Sequence, residues 1–179
     1  YDAYAETANG VASRLGTMAY DSVEGLLADV DAISICTPTT YHFDTAKRAI
    51  ELGKALLVEK PFTGETESAR ALCELAESHG VTLASGFVER FNPIVQATKE
   101  AIDAGKLGDI ISINATRVSS YPDRIRDMGV VKDLAIHDID VLRYVTSSEV
   151  QTVYAAGGSM KCAQYEDHAN ACQYIDDLR

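Results

Sequence analysis

Three titratable side chains late in the chain, Asp133, His137 and Asp140, have the types and spacing needed for proton-transfer chemistry. On an α-helix these positions, i, i+4 and i+7, form one narrow stripe, which Tyr144 extends. An imidazole titrates near neutral pH and can act as a general base, and a neighbouring carboxylate can orient it. The stripe therefore predicts either a catalytic proton relay or a polar substrate contact.

Two other interpretations of the same stripe stay open at this point. Apolar residues occupy the other side of the helix, so the stripe is expected to face away from the core and would serve equally well as a solvated surface. Carboxylates and imidazoles also bind metals, but no further ligand lies at a useful spacing, so no metal is predicted. Asp138 falls on the apolar side, and the sequence offers it no obvious partner.

A second group of polar residues follows two apolar segments that read as buried strands. Cys36, Thr37 and Pro38 come directly after the first segment, and Glu59-Lys60-Pro61 comes directly after the next. Ligands of open parallel sheets bind outside the carboxyl ends of the strands. Each proline pushes the residue before it toward extended geometry, so Thr37 and Lys60 are expected to line one crevice. Each segment alone is also compatible with an ordinary surface turn.

The elements that must position these residues alternate between strand and helix in the first part of the chain. Apolar runs predict strands at 32–36, 55–58 and 81–84, and helical periodicity predicts helices at 5–15, 41–52, 66–80 and 92–104. This order is typical of a doubly wound, Rossmann-type parallel sheet. After Gly108 the pattern predicts strands at 109–118, 150–156 and 168–175 around a helix at 133–145. We therefore predict an α/β domain over 1–107 and an α+β domain with an open mixed sheet over 108–179.

Composition excludes several classes of protein. The 179 residues carry a net charge of −11, which disfavours a nucleic-acid partner. No apolar run approaches the length of a membrane span. The four cysteines are widely spaced and form no C-x-x-C pair, which favours a reducing, cytoplasmic location without disulfides or zinc.

Taken in order, these motifs resemble those of the Gfo/Idh/MocA oxidoreductase family. The motifs that carry the resemblance are Ser34-Ile-Cys-Thr-Pro-Thr39 with His42, Ala46-Lys-Arg-Ala-Ile-Glu-Leu-Gly53, Gly53-Lys-Ala-Leu-Leu-Val-Glu-Lys-Pro61, Arg90-Phe-Asn-Pro93 and Asp133-x-x-x-His137-x-x-Asp140. Glu-Lys-Pro alone is a weak signal, but the ordered set runs through nearly the whole chain. The family's G-x-G-x-x-G loop and the far part of its second sheet are absent from this sequence, and we expect that the sequence omits them.

The resemblance implies a dehydrogenase that uses NAD and assembles as a homo-oligomer through the sheet of its second domain. It assigns catalysis to Lys60, His137 and Asp133, with Asp140 as a substrate ligand. Its cofactor-binding residues would be Asp2, Cys36, Thr37, Pro38, His42, Glu59, Lys60 and Pro61. Asp2 corresponds to the acid that binds the adenosine ribose hydroxyls, which favours NAD over NADP because it would repel a 2′-phosphate.

Within the family, residues 117–140 look like those of members that act on UDP-N-acetylated sugars at C3. Arg117, Arg124 and Arg126 suit an anionic substrate because a guanidinium binds phosphate or carboxylate bidentately, although each is also compatible with a surface ion pair. The sequence therefore predicts oxidation of a sugar secondary alcohol. A dehydrogenase of inositol or another free polyol, and a non-catalytic sensor of the same fold, remain as alternatives.

Overall fold

The structure is a computed structural model that describes residues 1–118 and 128–175. The chain divides into two compact units, Tyr1–Gly86 and Phe87–Arg179. Within the described ranges, no helix is both long and apolar enough to cross a membrane.

The first unit alternates helices with parallel strands, as predicted. Its elements are α1 (Ala5–Leu15), α2 (Val23–Asp29), β1 (Ala32–Ile35), a 3₁₀ turn (Thr39–Tyr41), α3 (His42–Glu51), β2 (Ala55–Val58), α4 (Thr66–His79) and β3 (Leu83–Ser85). The strands pair in parallel in the order β1-β2-β3. The predicted Rossmann-type arrangement is therefore confirmed for this unit.

Alternation along the strands explains how the core of the first unit forms. Ile35, Leu56 and Val58 point to the face that α3 and α4 cover, where they meet Ile50 and Leu72. The opposite face carries small or exposed side chains. Every residue of this core is apolar, so its stability comes from hydrophobic burial, and the polar chemistry is left to the loops that follow the strands.

The second unit contains a helical layer and a hairpin. A 3₁₀ turn (Val88–Phe91) precedes α5 (Pro93–Asp103), a π-helical turn (Val131–Ala135) leads into α6 (Ile136–Thr146), and β4 (Val150–Gly158) pairs antiparallel with β5 (His168–Ile175). Asn92 caps α5 as its sequence predicts, since its side-chain oxygen accepts from the Ile94 N–H at 3.1 Å.

The division between the two units falls after Gly86, whereas we predicted a domain boundary near residue 107. Helix α5 packs against α6, so it belongs to the second compact unit although it continues the strand–helix alternation of the first. The assignment of residues 87–107 to the nucleotide-binding domain stays a prediction.

The predicted strand over 109–118 is wrong, because the structure gives no strand in this segment. A strand needs a ladder partner, and the only sheet among the described residues of the second unit is the β4–β5 hairpin. Side chains such as Ile111 remain exposed. The β-branched composition of the segment suits a half-buried pleated surface but does not create one.

Candidate functional site

The loops that follow the parallel strands lie side by side at one edge of the first unit. Val58 is in register with Ile35 on one side and Ser85 on the other. The Glu59 N–H donates to the Ile35 carbonyl at 3.0 Å, and the Gly86 N–H donates to the Val58 carbonyl at 2.8 Å. The chain segments beginning at Cys36, Glu59 and Gly86 are therefore adjacent, as expected for the carboxyl edge of a parallel sheet.

These loops expose some of the predicted cofactor-binding residues and bury others. Cys36, Thr37 and Pro38 are exposed, Glu59 and Lys60 are half-buried, and Pro61 is buried. The Glu59 carboxylate folds back and accepts from the Lys60 backbone N–H at 3.0 Å. Glu59 therefore fixes the backbone from which the Lys60 side chain extends.

His42 faces the protein interior, beneath the loops with which the sequence grouped it. Its side chain is 1% exposed. Its Nε2 lies 2.8 Å from the Thr37 carbonyl oxygen, and its Nδ1 lies 3.0 Å from that of Pro61 and 3.3 Å from that of Phe62. The imidazole thus links the loop after β1 to the loop after β2.

Gly86 is a residue of this edge that the sequence reasoning missed. A Cβ at this position would lie 3.0 Å from the carboxyl carbon of Glu59, so a side chain here would displace that carboxylate. The sequence did carry a signal for it. A glycine directly after an apolar strand indicates that a neighbouring group approaches the backbone closely, where a side chain would be in the way.

Asp2 is half-buried at the start of the first unit and accepts from the Tyr4 N–H at 2.8 Å. It lines a shallow pocket together with Asn9, Tyr20 and Asp21. Two carboxylates at one pocket suit a ligand that offers hydroxyl donors and repel one that brings a phosphate. The residues present therefore fit the ribose end of NAD.

In the second unit, the acids of the predicted stripe are buried, so the expectation that the stripe faces solvent is wrong. Asp133 is 7% exposed and Asp140 is 3% exposed, while His137 is half-buried. The cause is that α6 packs against α5 and against the 3₁₀ turn Val88–Phe91. Asp133 also lies in the π-helical turn and not in a regular α-helix. Such turns are frequent at functional sites.

Asp140 is held by a two-pronged ion pair. Arg90 donates from Nε to Oδ2 at 2.8 Å and from Nη2 to Oδ1 at 2.7 Å. The guanidinium also lies over the rings of Tyr144 and Phe87, at 5.2 and 5.8 Å from their centroids. Its hydrogen bonds to Asp140 raise the pKa of Arg90 above its usual value. Both Asp140 oxygens therefore already have a protein donor, and a substrate contact by Asp140 stays a prediction.

Arg117 supplies the partner that the sequence could not find for Asp138. Its Nε and Nη2 donate to the Asp138 carboxylate at 3.0 and 2.9 Å, and Glu89 lies 3.8 Å away on the other side. The hydrogen bonds to Asp138 raise the pKa of Arg117. The other predicted substrate arginines, Arg124 and Arg126, lie outside the described residues.

The start of the π-helical turn that bears Asp133 is fixed by Glu166, from the segment that connects β4 and β5. The Val130 N–H donates to the Glu166 backbone carbonyl at 2.9 Å, and the Val131 N–H donates to its carboxylate at 3.2 Å. No room is left for a side chain at Gly129. Otherwise unpaired N–H groups at the helix start are thereby satisfied.

The described part of the chain contains no group of three or more His, Cys, Asp or Glu side chains arranged to hold a metal ion. Imidazole, ammonium and carboxylate groups are present among the described residues of the candidate site. These groups bind hydroxyls and transfer protons.

Comparison with known families matches both units. The family model described as an oxidoreductase family with an NAD-binding Rossmann fold matches residues 1–87. The model of the GFO/IDH/MocA C-terminal domain matches residues 95–177.

Named relatives agree with these matches. The chain is 40% identical over 157 residues to the UDP-N-acetylglucosamine 3-dehydrogenase of Acidithiobacillus ferrooxidans, which covers 88% of this chain and 49% of that one. It is 35% identical over 160 residues to the inositol 2-dehydrogenase of Rhizobium meliloti, covering 86% and 48%. The chain thus spans about half the length of the curated relatives it matches.

Solved structures show the same likeness. The Acidithiobacillus ferrooxidans enzyme superposes with a TM-score of 0.88 at 37% identity, over 98% of this chain and 56% of that one. The WlbA dehydrogenase from Bordetella pertussis, in complex with NADH and UDP-GlcNAcA, superposes with a TM-score of 0.83 at 25% identity, over 98% and 54%.

Proposed function

Because the chain belongs to the GFO/IDH/MocA oxidoreductase family, we propose that the protein oxidises a secondary alcohol of a sugar with NAD, and that the sugar is UDP-N-acetylated and reacts at C3. The observation that carries the proposal is the Glu59-Lys60-Pro61 loop at the carboxyl edge of a parallel sheet. It occurs in a chain 40% identical to a UDP-N-acetylglucosamine 3-dehydrogenase.

The proposal divides proton transfer between two side chains. His137 takes the hydroxyl proton as a general base, and the Lys60 ammonium donates a hydrogen bond to the same oxygen and stabilises its developing charge. Asp133 orients the imidazole. NAD, when bound, supplies the acceptor for the hydride that leaves the carbon. The alcohol thus loses a proton and a hydride and becomes a ketone.

The cofactor assignment rests on the residues of the first unit. Exposed Thr37 and Pro38 lie at the strand ends, where a dinucleotide would bind, and the carboxylates of Asp2 and Asp21 line a pocket that suits ribose hydroxyls. This pair of charges favours NAD, because the 2′-phosphate of NADP would meet two carboxylates.

The nucleotide-sugar assignment is supported by the relatives and by the arginines. Of the predicted arginines, Arg117 is the one within the described residues. Arg117 would contact the anionic part of the substrate through those guanidinium N–H groups that do not donate to Asp138. The alternative is an inositol dehydrogenase, which the 35% identity to the Rhizobium meliloti enzyme favours. A homo-oligomeric, cytoplasmic protein stays part of this proposal.

The first test follows NADH formation by the complete protein, expressed from its natural coding sequence, with UDP-N-acetylglucosamine, its uronic acid and myo-inositol as separate substrates. Turnover with a UDP-sugar alone supports the proposal. Turnover with inositol alone keeps the mechanism and overturns the substrate assignment. NAD binding without turnover of any of the three leaves either a different sugar substrate or the non-catalytic sensor.

Substitutions test the assigned roles. Lys60→Ala and His137→Ala are each expected to lower kcat at least 100-fold, the usual contribution of a proton-transfer group. Lys47→Ala and His79→Ala are matched controls, because both side chains are exposed on helices of the first unit. Turnover within a few-fold of wild type in Lys60→Ala or His137→Ala would contradict the assignment.

A further inference from the structure

We propose that His42 is a positioning residue that separately sets the affinity for the dinucleotide, through Thr37, and the rate of turnover, through the Lys60-Pro61 loop. This inference rests on the proposed function, and it moves His42 from the predicted set of cofactor contacts to a supporting role behind them.

The burial of His42 is the first observation. The side chain is fully enclosed at the start of α3, so a ligand at the outer face of the loops does not touch it. Burial of a polar ring is costly unless its nitrogens are hydrogen-bonded. Each nitrogen faces a backbone carbonyl at hydrogen-bonding distance, Thr37 on one side and Pro61 on the other, so an N–H on either nitrogen finds an acceptor.

The composition of the two loops explains why a side chain is needed between them. Pro38 and Pro61 lack an N–H, so neither residue can donate a backbone hydrogen bond to the neighbouring loop. Both loops still present carbonyl oxygens there. An imidazole carries nitrogens on opposite sides of one rigid ring. When both nitrogens carry a proton, it donates to two acceptors that the backbone cannot join; when one does, it donates to one acceptor and stays in contact with the other.

The two nitrogens of His42 therefore serve different parts of the site. Nε2 holds the carbonyl of Thr37, an exposed residue of the predicted cofactor edge. Nδ1 holds the carbonyl of Pro61, which follows the proposed catalytic Lys60. Losing one contact should disturb one loop more than the other, and this separates a positioning role from a general contribution to stability.

Two conservative variants remove the contacts one at a time. An asparagine amide ends at the level of Nδ1, so His42→Asn offers a donor toward Pro61 and has no group that reaches Thr37. A glutamine amide reaches the level of Nε2, so His42→Gln offers a donor toward Thr37 and has none toward Pro61. Ile50→Val, at a fully buried position of the same helix, is the control for lost stability alone, and exposed His79→Asn is the control for the residue type.

The measurements on the complete protein are the dissociation constant of NADH from its fluorescence, kcat with the accepted substrate, and amide hydrogen exchange at Lys60. For His42→Asn we expect a roughly tenfold weaker NADH affinity, the scale of one lost buried hydrogen bond, and a kcat within about threefold. For His42→Gln we expect an NADH affinity within about threefold, kcat lowered at least tenfold by misplacement of the lysine, and faster exchange at Lys60.

Parallel changes in affinity and kcat for both variants, or changes no larger than those of Ile50→Val, would overturn the inference. If the wild-type protein binds NADH but turns over no alcohol, the proposed function fails. The affinity and exchange measurements still decide the role of His42 in that case. If neither variant folds, NMR of the wild-type protein decides it, because a His42 ring proton that exchanges as fast as that of exposed His79 contradicts the bridge.

Discussion

Replacing Arg90 by methionine should destabilise the second unit far more than the same change at Arg143. The two arginines form ion pairs of nearly identical geometry, since Arg143 binds Glu149 at 2.8 and 2.7 Å and Arg90 binds Asp140 at the same two distances. The pairs differ in burial. The Glu149 side chain is 71% exposed, whereas that of Asp140 is 3% exposed.

The expected magnitudes follow from what each variant leaves behind. Arg90→Met strands a carboxylate that water cannot reach, and removing one partner of a buried pair costs about 3–5 kcal/mol. The Arg90 side chain is itself 40% exposed, so we take the lower end, about 3 kcal/mol, or roughly a 100-fold change in the unfolding equilibrium. Arg143→Met leaves a hydrated carboxylate and should cost less than about 1 kcal/mol.

The assay is urea unfolding of the complete protein followed by far-UV circular dichroism, which reports the loss of helix. Hydrogen exchange of the α6 amides localises the effect to the second unit. Asp140→Asn should cost less than Arg90→Met, since the stranded arginine can turn toward water. Equal losses for Arg90→Met and Arg143→Met would refute the reasoning from burial.

Three other predictions follow from single contacts. Gly86→Ala should lower turnover about tenfold with little effect on stability, because its Cβ displaces the Glu59 carboxylate and so disturbs the lysine loop; unchanged steady-state kinetics would contradict this. Backbone N–H groups, that of Lys161 foremost, lower the pKa of Asp167 below its usual value. The carboxylate therefore contributes stability above about pH 4, and this stability is lost as the pH falls further. In an acid titration followed by circular dichroism, Asp167→Asn should lose less folded structure on acidification than the wild-type protein does. Arg117→Lys should raise KM about tenfold for a UDP-sugar and leave that for inositol unchanged, and equal KM values for both substrates would reduce its role to the pair with Asp138.

The elements of the first unit other than α2, which the sequence reasoning missed, could be predicted because local signals coincide there. A four-residue apolar run gave β2 with its observed bounds, Ala55–Val58, and a glycine in the left-handed region ends both α1 and α4, at Gly16 and Gly80. Such signals act within a few residues, and the fold of this unit is assembled from them.

The contacts of the candidate site are not local in this sense. Arg90 lies 50 positions before Asp140, and Arg117 lies 21 positions before Asp138. Periodicity placed Asp138 on an apolar face without a partner, and only the packing of the second unit brought a guanidinium to it. His42 shows the same limit, since its spacing from Thr37 put it near the loop but did not fix which way its ring faces.

The pairing of the α6 acids bears on which substrate the second unit can accept. A helix with unpaired carboxylates would repel the diphosphate of a nucleotide sugar, and the net charge of −11 would add to that repulsion. Arg117 and Arg90 neutralise Asp138 and Asp140 from within the same unit. An anionic substrate near His137 would therefore meet two fewer effective negative charges. For this reason, the presence of Asp138 and Asp140 on the same helix as His137 is compatible with the UDP-sugar proposal.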